Sequence, residues 1–561
     1  MILDEFVTDD IIITLLCREK CKRIRRSRRS GIQRIDQELN ELMPARSQWL
    51  KVNKSKRFIR TIDYNNKQQI PKAALQLRNL KYTIRKHRAA TPERDYIIRL
   101  NKYINHVKSI CRGEKAFAFS KPSIIPKFKD ETETEIIYRP ISKYDTLDDK
   151  IMLNITYQYL SVIFDKFFHN EIFSYRIKRN YKGETKITSQ HDAIRSVKNY
   201  LEKNRDKEIF VAECDIRKFF DILNHKVIKK EFEELIGNFE RSEHIANLFN
   251  SYIDSYSYAE DVAAKNDDNA YWNLYRINPR KRHKKRKFDW VDADSFIQNN
   301  IYTAEEWEKD QKRIGTPQGG SLSLLISNMV LNSVDKVFMD NPDPDRLFLR
   351  YGDDILLMHT DRSRCQELIE AYKNSLISKK LLFHPFIPVS EFKEGDKITE
   401  EYWNNKSKSV YRWGKGPGEA AYWIGFVGYE ISRYGEVRIR KSTLSGQFSR
   451  INKAYHHVKR LDPPDRRSVM KFGELVAEKI NFKNYATISS KFFTESFREL
   501  NVNRYSATQI KALDRYRNGK FRKLRRQFTK AGFNRDFYLG KPFSYYYHFG
   551  KLSAIHQSIN A

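Results

Sequence analysis

Residues 347–359, LFLRYGDDILLMH, decide the fold of this chain. Apolar residues stand on both sides of Tyr351-Gly352-Asp353-Asp354, so the stretch predicts two core strands joined by a tight turn at Gly352. Two adjacent carboxylates at a turn repel each other and add nothing to packing. Because the strands hold them rigidly, Asp353 and Asp354 are predicted to bind hard divalent cations, which prefer carboxylate oxygens.

A second carboxylate segment lies upstream at residues 210–225, FVAECDIRKFFDILNH. An apolar strand is predicted to end at Asp215, and a helix-like run follows it. An aspartate at the end of a buried strand is unfavourable unless it is paired or binds a metal ion. Asp215 is therefore predicted to be functional, whereas Asp221 is predicted to lie on a helix face without a catalytic role.

Between these segments lies the run GTPQGGSLS at residues 315–323. Its glycines and proline force an irregular backbone, and an apolar helix is predicted over residues 324–331. A glycine-rich turn that leads into a helix lets a ligand approach the backbone closely.

Composition narrows the class of partner. The 561 residues include 105 Lys+Arg against 71 Asp+Glu, a formal net charge of +34, which favours a polyanion such as nucleic acid or an anionic membrane as the partner.

Other features of the composition exclude whole classes of protein. An aromatic content of 13 % excludes wholesale disorder. The apolar run 11–16 is too short to span a membrane, so no membrane is expected. The 5 cysteines are too scattered for a disulfide framework, which favours the cytoplasm.

Basic residues concentrate in three places, namely residues 18–29, 280–287 and 441–561. The first is either a solvated helix face or an arm that contacts phosphates. The second is predicted to be an exposed loop that contacts nucleic acid, serves as a targeting signal or is merely solvated. The third interleaves aromatics with cations, a pattern that suits RNA or equally the core and outer face of a helical bundle. The predicted nucleic-acid contacts are Arg280, Lys281, Arg282, Lys284, Lys285, Arg522, Lys523, Arg525 and Arg526.

The order of strand-Asp, PQG turn with its helix, and YGDD hairpin resembles the palm of reverse transcriptases. Residues 138–141 with Asp149-Lys150, residues 173–176 with 191–193, and residues 423–428 resemble further motifs of that family. The resemblance covers residues 120–440 and implies an α+β right-hand polymerase. The expected domains are a basic helical N-terminal extension (1–115), fingers and palm (116–440, with a basic insertion near 265–300) and a helical thumb (441–561).

The resemblance also implies roles for individual residues. Two Mg²⁺ ions, or Mn²⁺ in their place, would be held by Asp215, Ile216, Asp353 and Asp354, with Asp215, Asp353 and Asp354 as the catalytic carboxylates. Arg139 would hold the triphosphate of the incoming dNTP, and Lys143 or Lys150 would help unless each lysine is only a solvated surface charge. Gln318 would lie near the template base and that nucleotide, unless it only caps the next helix. Phe220 would exclude the ribose 2′-hydroxyl, unless it is a core residue.

The sequence resembles prokaryotic reverse transcriptases of the group II intron-like type. Leu324 replaces the usual proline of intron enzymes, and the signatures of retron enzymes are not visible, so an unassigned, defence-associated group is expected. A dedicated structured non-coding RNA would then be the template, and its DNA product would act in antiphage defence. Alternatives are a silent or maturase-like RNA scaffold, a group II intron-derived enzyme and an RNA-directed RNA polymerase. Homo-oligomerisation stays open.

Overall fold

The computed structural model describes residues 2–26, 34–53, 55, 58–60, 67–69, 72–179, 185–187, 190–237, 239, 243–275, 277, 279–340, 342–395, 397–460 and 504–530. Two compact units divide the chain. The first unit comprises Met1–Thr188, Asp215–Pro342 and Leu368–His384, and the second comprises Ser189–Cys214, Asp343–Glu367 and Pro385–Ala561.

The α-helices of the described residues are α1 Leu3–Phe6, α2 Asp9–Arg26, α3 Arg34–Leu42, α4 Lys72–Ala90, α5 Asp95–Cys111, α6 Leu147–Phe164, α7 Gln190–Lys203, α8 Phe219–Ile222, α9 His225–Ile236, α10 Glu243–Asp254, α11 Asn269–Asn273, α12 Ala293–Gln298, α13 Ala304–Asp310, α14 Ser321–Met339, α15 Arg362–Ser378, α16 Glu400–Asn404, α17 Lys441–Lys459 and α18 Arg504–Lys530.

The strands are β1 Phe58–Arg60, β2 Lys67–Gln69, β3 Ser123–Glu131, β4 Glu135–Lys143, β5 Ile177–Arg179, β6 Thr185–Ile187, β7 Phe210–Asp215, β8 Lys285–Phe288, β9 Arg346–Tyr351, β10 Asp354–His359, β11 Phe386–Ile387, β12 Lys393–Glu394, β13 Lys397–Ile398, β14 Ser407–Trp413, β15 Ala420–Ala421, β16 Trp423–Phe426, β17 Tyr429–Ser432 and β18 Val437–Ile439. The prediction of an α+β fold is confirmed as a mixture of helix and sheet.

Helix α14 forms the centre of the first unit, where it packs against α6 and α9. Its apolar side chains are buried nearly all round, which is the pattern of a core helix. By length and composition α14 also qualifies as a membrane span among the described residues, but 72 % of that window is buried inside the fold. Helix α6 begins where Thr146 accepts a hydrogen bond from the Asp149 backbone, an N-cap that fixes its start.

A three-stranded sheet of order β3-β4-β8 lies beside this helical core in the first unit. Its apolar side is covered by an aromatic cluster that includes Tyr256, Tyr258, Trp272 and Phe288. Trp290 stacks on Tyr258 with 4.5 Å between the ring centroids. The segment after α10 is therefore anchored to the sheet by aromatic packing, which is worth more than its area alone.

The second unit contains a sheet of order β11-β14-β7-β10-β9, with β15 paired to β14. The inner strands β7 and β10 and the edge strand β9 are almost wholly buried, which explains why they read as apolar runs. A second, three-stranded sheet of order β16-β17-β18 follows. Helix α18 packs against α17 and β18, and the Gln509 side chain bonds both backbone groups of Ile439 at 2.9 Å.

Several predicted elements are confirmed. Strand β7 ends at Asp215 as predicted, and β9 and β10 form the predicted hairpin. Residues 423–428 supply the first strand and the turn of another hairpin, β16–β17. The loop predicted over residues 280–287 is wrong, because β8 runs through its second half.

Candidate active site

The hairpin between β9 and β10 carries Asp353 and Asp354. Tyr351 pairs with Asp354, so Gly352 and Asp353 form a two-residue turn. Gly352 has a φ of +71°, which costs glycine little, and it stands at the first turn position. Asp353 is half-buried and Asp354 is exposed, whereas the strand residues beyond them are buried. Beneath the turn, the buried Arg350 guanidinium donates to the Gly352 carbonyl at 3.3 Å.

Strand β7 pairs with β10 in the sheet, and a buried ion pair fixes β7 in place. Lys408 Nζ and Tyr411 Oη both donate to the Glu213 carboxylate at 2.7 Å. Residues three apart in a regular strand point to opposite faces. A register shift between Lys408 and Tyr411 brings both onto Glu213, so this bulge positions side chains rather than merely interrupting the strand. Sequence reasoning missed Glu213 and Lys408, because neither reveals its partner.

Asp215 is the last residue of β7 and is 2 % exposed. Its carbonyl accepts from the His384 backbone at 3.0 Å, and His384 Nε2 lies 3.7 Å from its carboxylate. The next residue, Ile216, pairs with Phe383 in an isolated β-bridge. Among the described residues, the backbone carbonyl of Ile216 accepts no hydrogen bond. A carboxylate and a carbonyl oxygen in succession are hard donors of the kind Mg²⁺ uses.

Asp215 and Ile216 in the first unit, and Asp353 and Asp354 in the second, therefore each offer oxygen donors of the kind that a hard divalent cation prefers. Within the described ranges, no group of three or more His, Cys, Asp or Glu side chains is arranged to hold a metal ion. The metal-binding role of these four residues accordingly stays a prediction.

The PQG turn of the first unit is held by hydrogen bonds to distant segments. The Gly315 and Thr316 backbones donate to the carbonyls of Leu223 and Phe220, both at 2.8 Å. The Ser142 backbone of β4 donates to the Gln318 carbonyl at 2.9 Å. The turn therefore connects the segment after Asp215 with the sheet that carries Arg139, although its own sequence specifies only an irregular backbone.

Asp221 lies on the short helix α8, as predicted, but its side chain is buried. It is 6 % exposed, and its carboxylate accepts a hydrogen bond from the Gln318 side-chain amide. Burial raises the pKa of Asp221, while the bond from Gln318 and the cation Lys218 oppose that rise. The pair was missed because the two residues are 97 positions apart. Two phenylalanines before an aspartate were the only local sign that Asp221 faces inward.

His225 anchors the start of the same turn. Its Nε2 lies 2.8 Å from the Gly315 carbonyl, to which neutral imidazole donates. Burial lowers the pKa of His225 to about 4, against a smaller opposite effect of that hydrogen bond. The imidazole is therefore uncharged at neutral pH.

The residues predicted to bind the nucleotide are arranged in the first unit as follows. Phe219 is 2 % exposed and belongs to the core, whereas Phe220 is only half-buried. Arg139 is exposed on β4, and Lys143 pairs with Asp145 at 2.6 Å. Lys143 also lines a cavity of about 620 Å³ together with Lys150. Burial lowers the pKa of Lys150 to about 8.

The basic run 280–287 is largely neutralised inside the first unit. Strand β8 pairs in parallel with β4, and Lys287 bonds Glu135 at 2.7 Å. Lys281 and Lys284 both contact Glu131. The predicted loop fails because these acids and the partner strand lie far upstream in the sequence. Arg280, Arg282 and Lys285 remain exposed, and their contact with nucleic acid stays a prediction.

The other basic regions are described in part. In α18, Arg522, Lys523 and Arg526 are exposed, and the Arg525 side chain lies outside the described residues. Residues 27–33, which complete the basic run near the N-terminus, also lie outside them, as do 461–503 and 531–561. The exposure of these side chains on α18 does not test whether they contact nucleic acid, so those contacts stay a prediction.

Comparisons with known proteins identify the class of the central segment. Residues 268–385 match the family described as reverse transcriptase (RNA-dependent DNA polymerase). The match contains the PQG turn and the YGDD hairpin. No curated protein matches the chain.

Solved telomerase structures are also similar, at low identity. Apo telomerase of Candida tropicalis truncated from the C-terminal domain has 13 % identity and a TM-score of 0.32, covering 58 % of this chain and 55 % of that one. Telomerase of Candida albicans with a fragment of telomeric RNA has 12 % identity and a TM-score of 0.30, covering 75 % and 64 %. This chain thus spans about half the length of the first of them.

Residues 268–385 are therefore similar to reverse transcriptases, and this match supports the predicted type of enzyme, an RNA-directed DNA polymerase. The group II-like and defence-associated subtype, the metal ion and the RNA partner are not part of that match.

Proposed function

We propose that the chain is an RNA-directed DNA polymerase with right-hand architecture, in which residues 116–440 act as fingers and palm and 441–561 as a thumb. Residues 1–115 would be an N-terminal extension. The observation that carries the proposal is the β9–β10 hairpin, which holds Asp353 at a two-residue turn between buried strands. Two adjacent carboxylates at a turn, Asp353 and Asp354, add nothing to packing, and both lie within the segment that matches the family.

Asp215, Asp353 and Asp354 are the proposed catalytic carboxylates, and the Ile216 carbonyl is a further oxygen donor. When bound, two divalent ions, Mg²⁺ or Mn²⁺, would stabilise the attacking and leaving oxygens of an in-line displacement at phosphorus. The protein supplies rigidity: Arg350 supports the turn, and Glu213 with Lys408 fixes the strand that ends at Asp215. Carboxylates fixed in this way need little reorganisation when charge develops.

The incoming nucleotide would be held by residues of the first unit. The exposed Arg139 guanidinium suits bidentate binding of a phosphate, and Lys143 adds a second cation. Gln318 is anchored through both its backbone and its side chain, so it would present a fixed polar group to the nucleotide.

Phe220 is the proposed selector of deoxyribose. Its half-exposed ring would fill the space that a 2′-hydroxyl needs. Phe220→Val should raise the ratio of ribonucleotide to deoxynucleotide incorporation by about tenfold or more, because the loss is one of steric exclusion. Phe128→Val, at an exposed ring on β3, is the control. An unchanged ratio in single-nucleotide incorporation assays removes this role.

The activity is tested by primer extension on matched RNA and DNA templates. Purified protein with Mg²⁺ should extend a DNA primer on RNA with dNTPs, and chelation of the metal should stop it. Extension with NTPs alone would instead identify an RNA-directed RNA polymerase. RNA binding without extension in either metal would identify a scaffold or a maturase-like protein.

The proposed template is a dedicated structured non-coding RNA, and the proposed role is antiphage defence in the cytoplasm by a group II-like enzyme. A net charge of +34 and the exposed cations of α18 support a long RNA held through its backbone. Sequencing the RNA that co-purifies should give one discrete species. Cells with the wild-type locus should resist some phage and cells with Asp353→Asn should not; equal resistance would exclude polymerisation as the effector.

A further inference from the structure

The two polar atoms of the Gln318 side-chain amide, which lies in the first unit, differ in their hydrogen bonds. Its nitrogen donates to Asp221, and among the described residues its oxygen accepts no hydrogen bond. The Gln318 backbone carbonyl is fixed separately by the Ser142 backbone at 2.9 Å. With the nitrogen engaged, the side chain offers a ligand an acceptor and not a donor.

Asp221 is well placed to impose this orientation. It is 6 % exposed and belongs to the short helix α8, whose position is fixed where the Thr316 backbone and hydroxyl reach the Phe220 carbonyl. A buried carboxylate accepts hydrogen bonds and offers no donor when it is ionised. Above the raised pKa of Asp221, about 7, the group is mainly ionised, and an amide turned the other way would set its oxygen against that carboxylate, which is repulsive.

The cations near Asp221 do not replace Gln318 as its partner. Lys218, the nearest cationic residue in sequence, is paired with Asp289, and Lys129 bonds the same Asp289 at 2.9 Å. Arg139 affects Asp221 only through the electrostatic effect of its charge. The hydrogen bond from Gln318 is thus the contact through which Asp221 acts on the turn.

We propose that Asp221 is a positioning residue of the polymerase site: it fixes the Gln318 amide so that Oε1 accepts a hydrogen bond from a donor group of the incoming nucleotide or its base pair. The inference rests on the proposed function, and it adds a residue that neither the family match nor the predicted site contains. Asp221 itself does not touch the nucleotide in this scheme.

The test is a double-mutant cycle read as dNTP KM and kcat on an RNA template. Asp221→Leu should raise the dNTP KM by about tenfold with a smaller change in kcat, because ground-state positioning is lost. Gln318→Met should do the same, and the double variant should be no worse than either single variant. Asp221→Asn keeps a carbonyl acceptor and should restore most of the wild-type KM.

A matched control separates positioning from folding. Asp310 is also buried in the first unit, and it accepts from the Asn224 side-chain amide at 2.9 Å rather than from Gln318. Asp310→Leu should lower the melting temperature without changing the dNTP KM of the folded fraction. If Asp221→Leu behaves like Asp310→Leu, or if its effect adds fully to that of Gln318→Met, Asp221 is structural and the inference fails.

Failure of the proposed function gives a different result. In that case wild-type protein extends no primer and the cycle has no signal, while equilibrium binding of dNTP still compares Asp221→Leu with Gln318→Met. Equal affinities of wild type and both variants in that binding assay contradict the inference independently of catalysis.

Discussion

The turn 351–354 and the turn 315–320 both contain glycine and both bear predicted site residues, yet their contacts come from different parts of the chain. The first is closed by the two strands that flank it in sequence. The second is held by backbone bonds to Leu223 and Phe220, by Ser142 and by the side chains of Asp221 and His225. The hairpin is thus specified locally, whereas the PQG turn depends on segments far away in the chain.

Glycine replacement gives the largest expected difference between the turns. Gly315 has a φ of +92°, and an added Cβ would lie 2.8 Å from the Tyr258 Cβ and 3.1 Å from the Asp221 carbonyl. Gly352 has a φ of +71° and nothing within 4 Å of an added Cβ. Gly315→Ala should cost about 4 kcal/mol of unfolding free energy and Gly352→Ala about 1 kcal/mol. Urea denaturation measures both; equal costs would contradict the comparison.

The second prediction uses pH to probe the PQG turn. The folded pKa of His225, about 4, lies below its ordinary value of 6.5, so protons bind the unfolded chain more readily between these values. The stabilising contribution is complete above about pH 6.5 and is lost as pH falls to about 4, by about 3 kcal/mol. His225→Gln keeps a donor for the Gly315 carbonyl and does not titrate.

Unfolding free energies of wild type and His225→Gln should therefore diverge in favour of the variant as pH falls through this range. Asp221 acts in the opposite direction, because its raised pKa makes the folded state gain stability as pH falls. The difference between the two proteins cancels that contribution. Parallel pH profiles would show that His225 is not buried against the turn.

The smallest expected effect concerns the turn between β16 and β17, a second locally closed hairpin. Val427 has a φ of +43°, a conformation that a β-branched side chain rarely adopts, and Gly428 follows at +86°. Val427→Asn should stabilise the protein by about 1 kcal/mol, because asparagine tolerates this backbone. A loss of stability on thermal denaturation would show that the valine packs well enough to offset the strain.

What could be predicted from the sequence follows the same division. The end of strand β7 at Asp215 and the β9–β10 hairpin were predicted closely, because an apolar run and a glycine turn are local signals. The partners of Asp221 and of Lys408 could not be predicted, since Gln318 and Glu213 lie far away in the chain. The run 280–287 looked like a loop because Glu131 and Glu135, which neutralise it, belong to strands β3 and β4, far upstream in the chain.

The central claim is that Asp353 serves chemistry and not stability. Single-nucleotide incorporation on an RNA template should be compared for wild type, Asp353→Asn and Asp206→Asn, the same change at an exposed turn of the second unit. Asp353→Asn should lower the rate by at least about a thousandfold, a barrier increase of about 4 kcal/mol, with an unchanged melting temperature, while Asp206→Asn behaves as wild type. A folded Asp353→Asn protein that incorporates dNTPs at the wild-type rate would contradict the account.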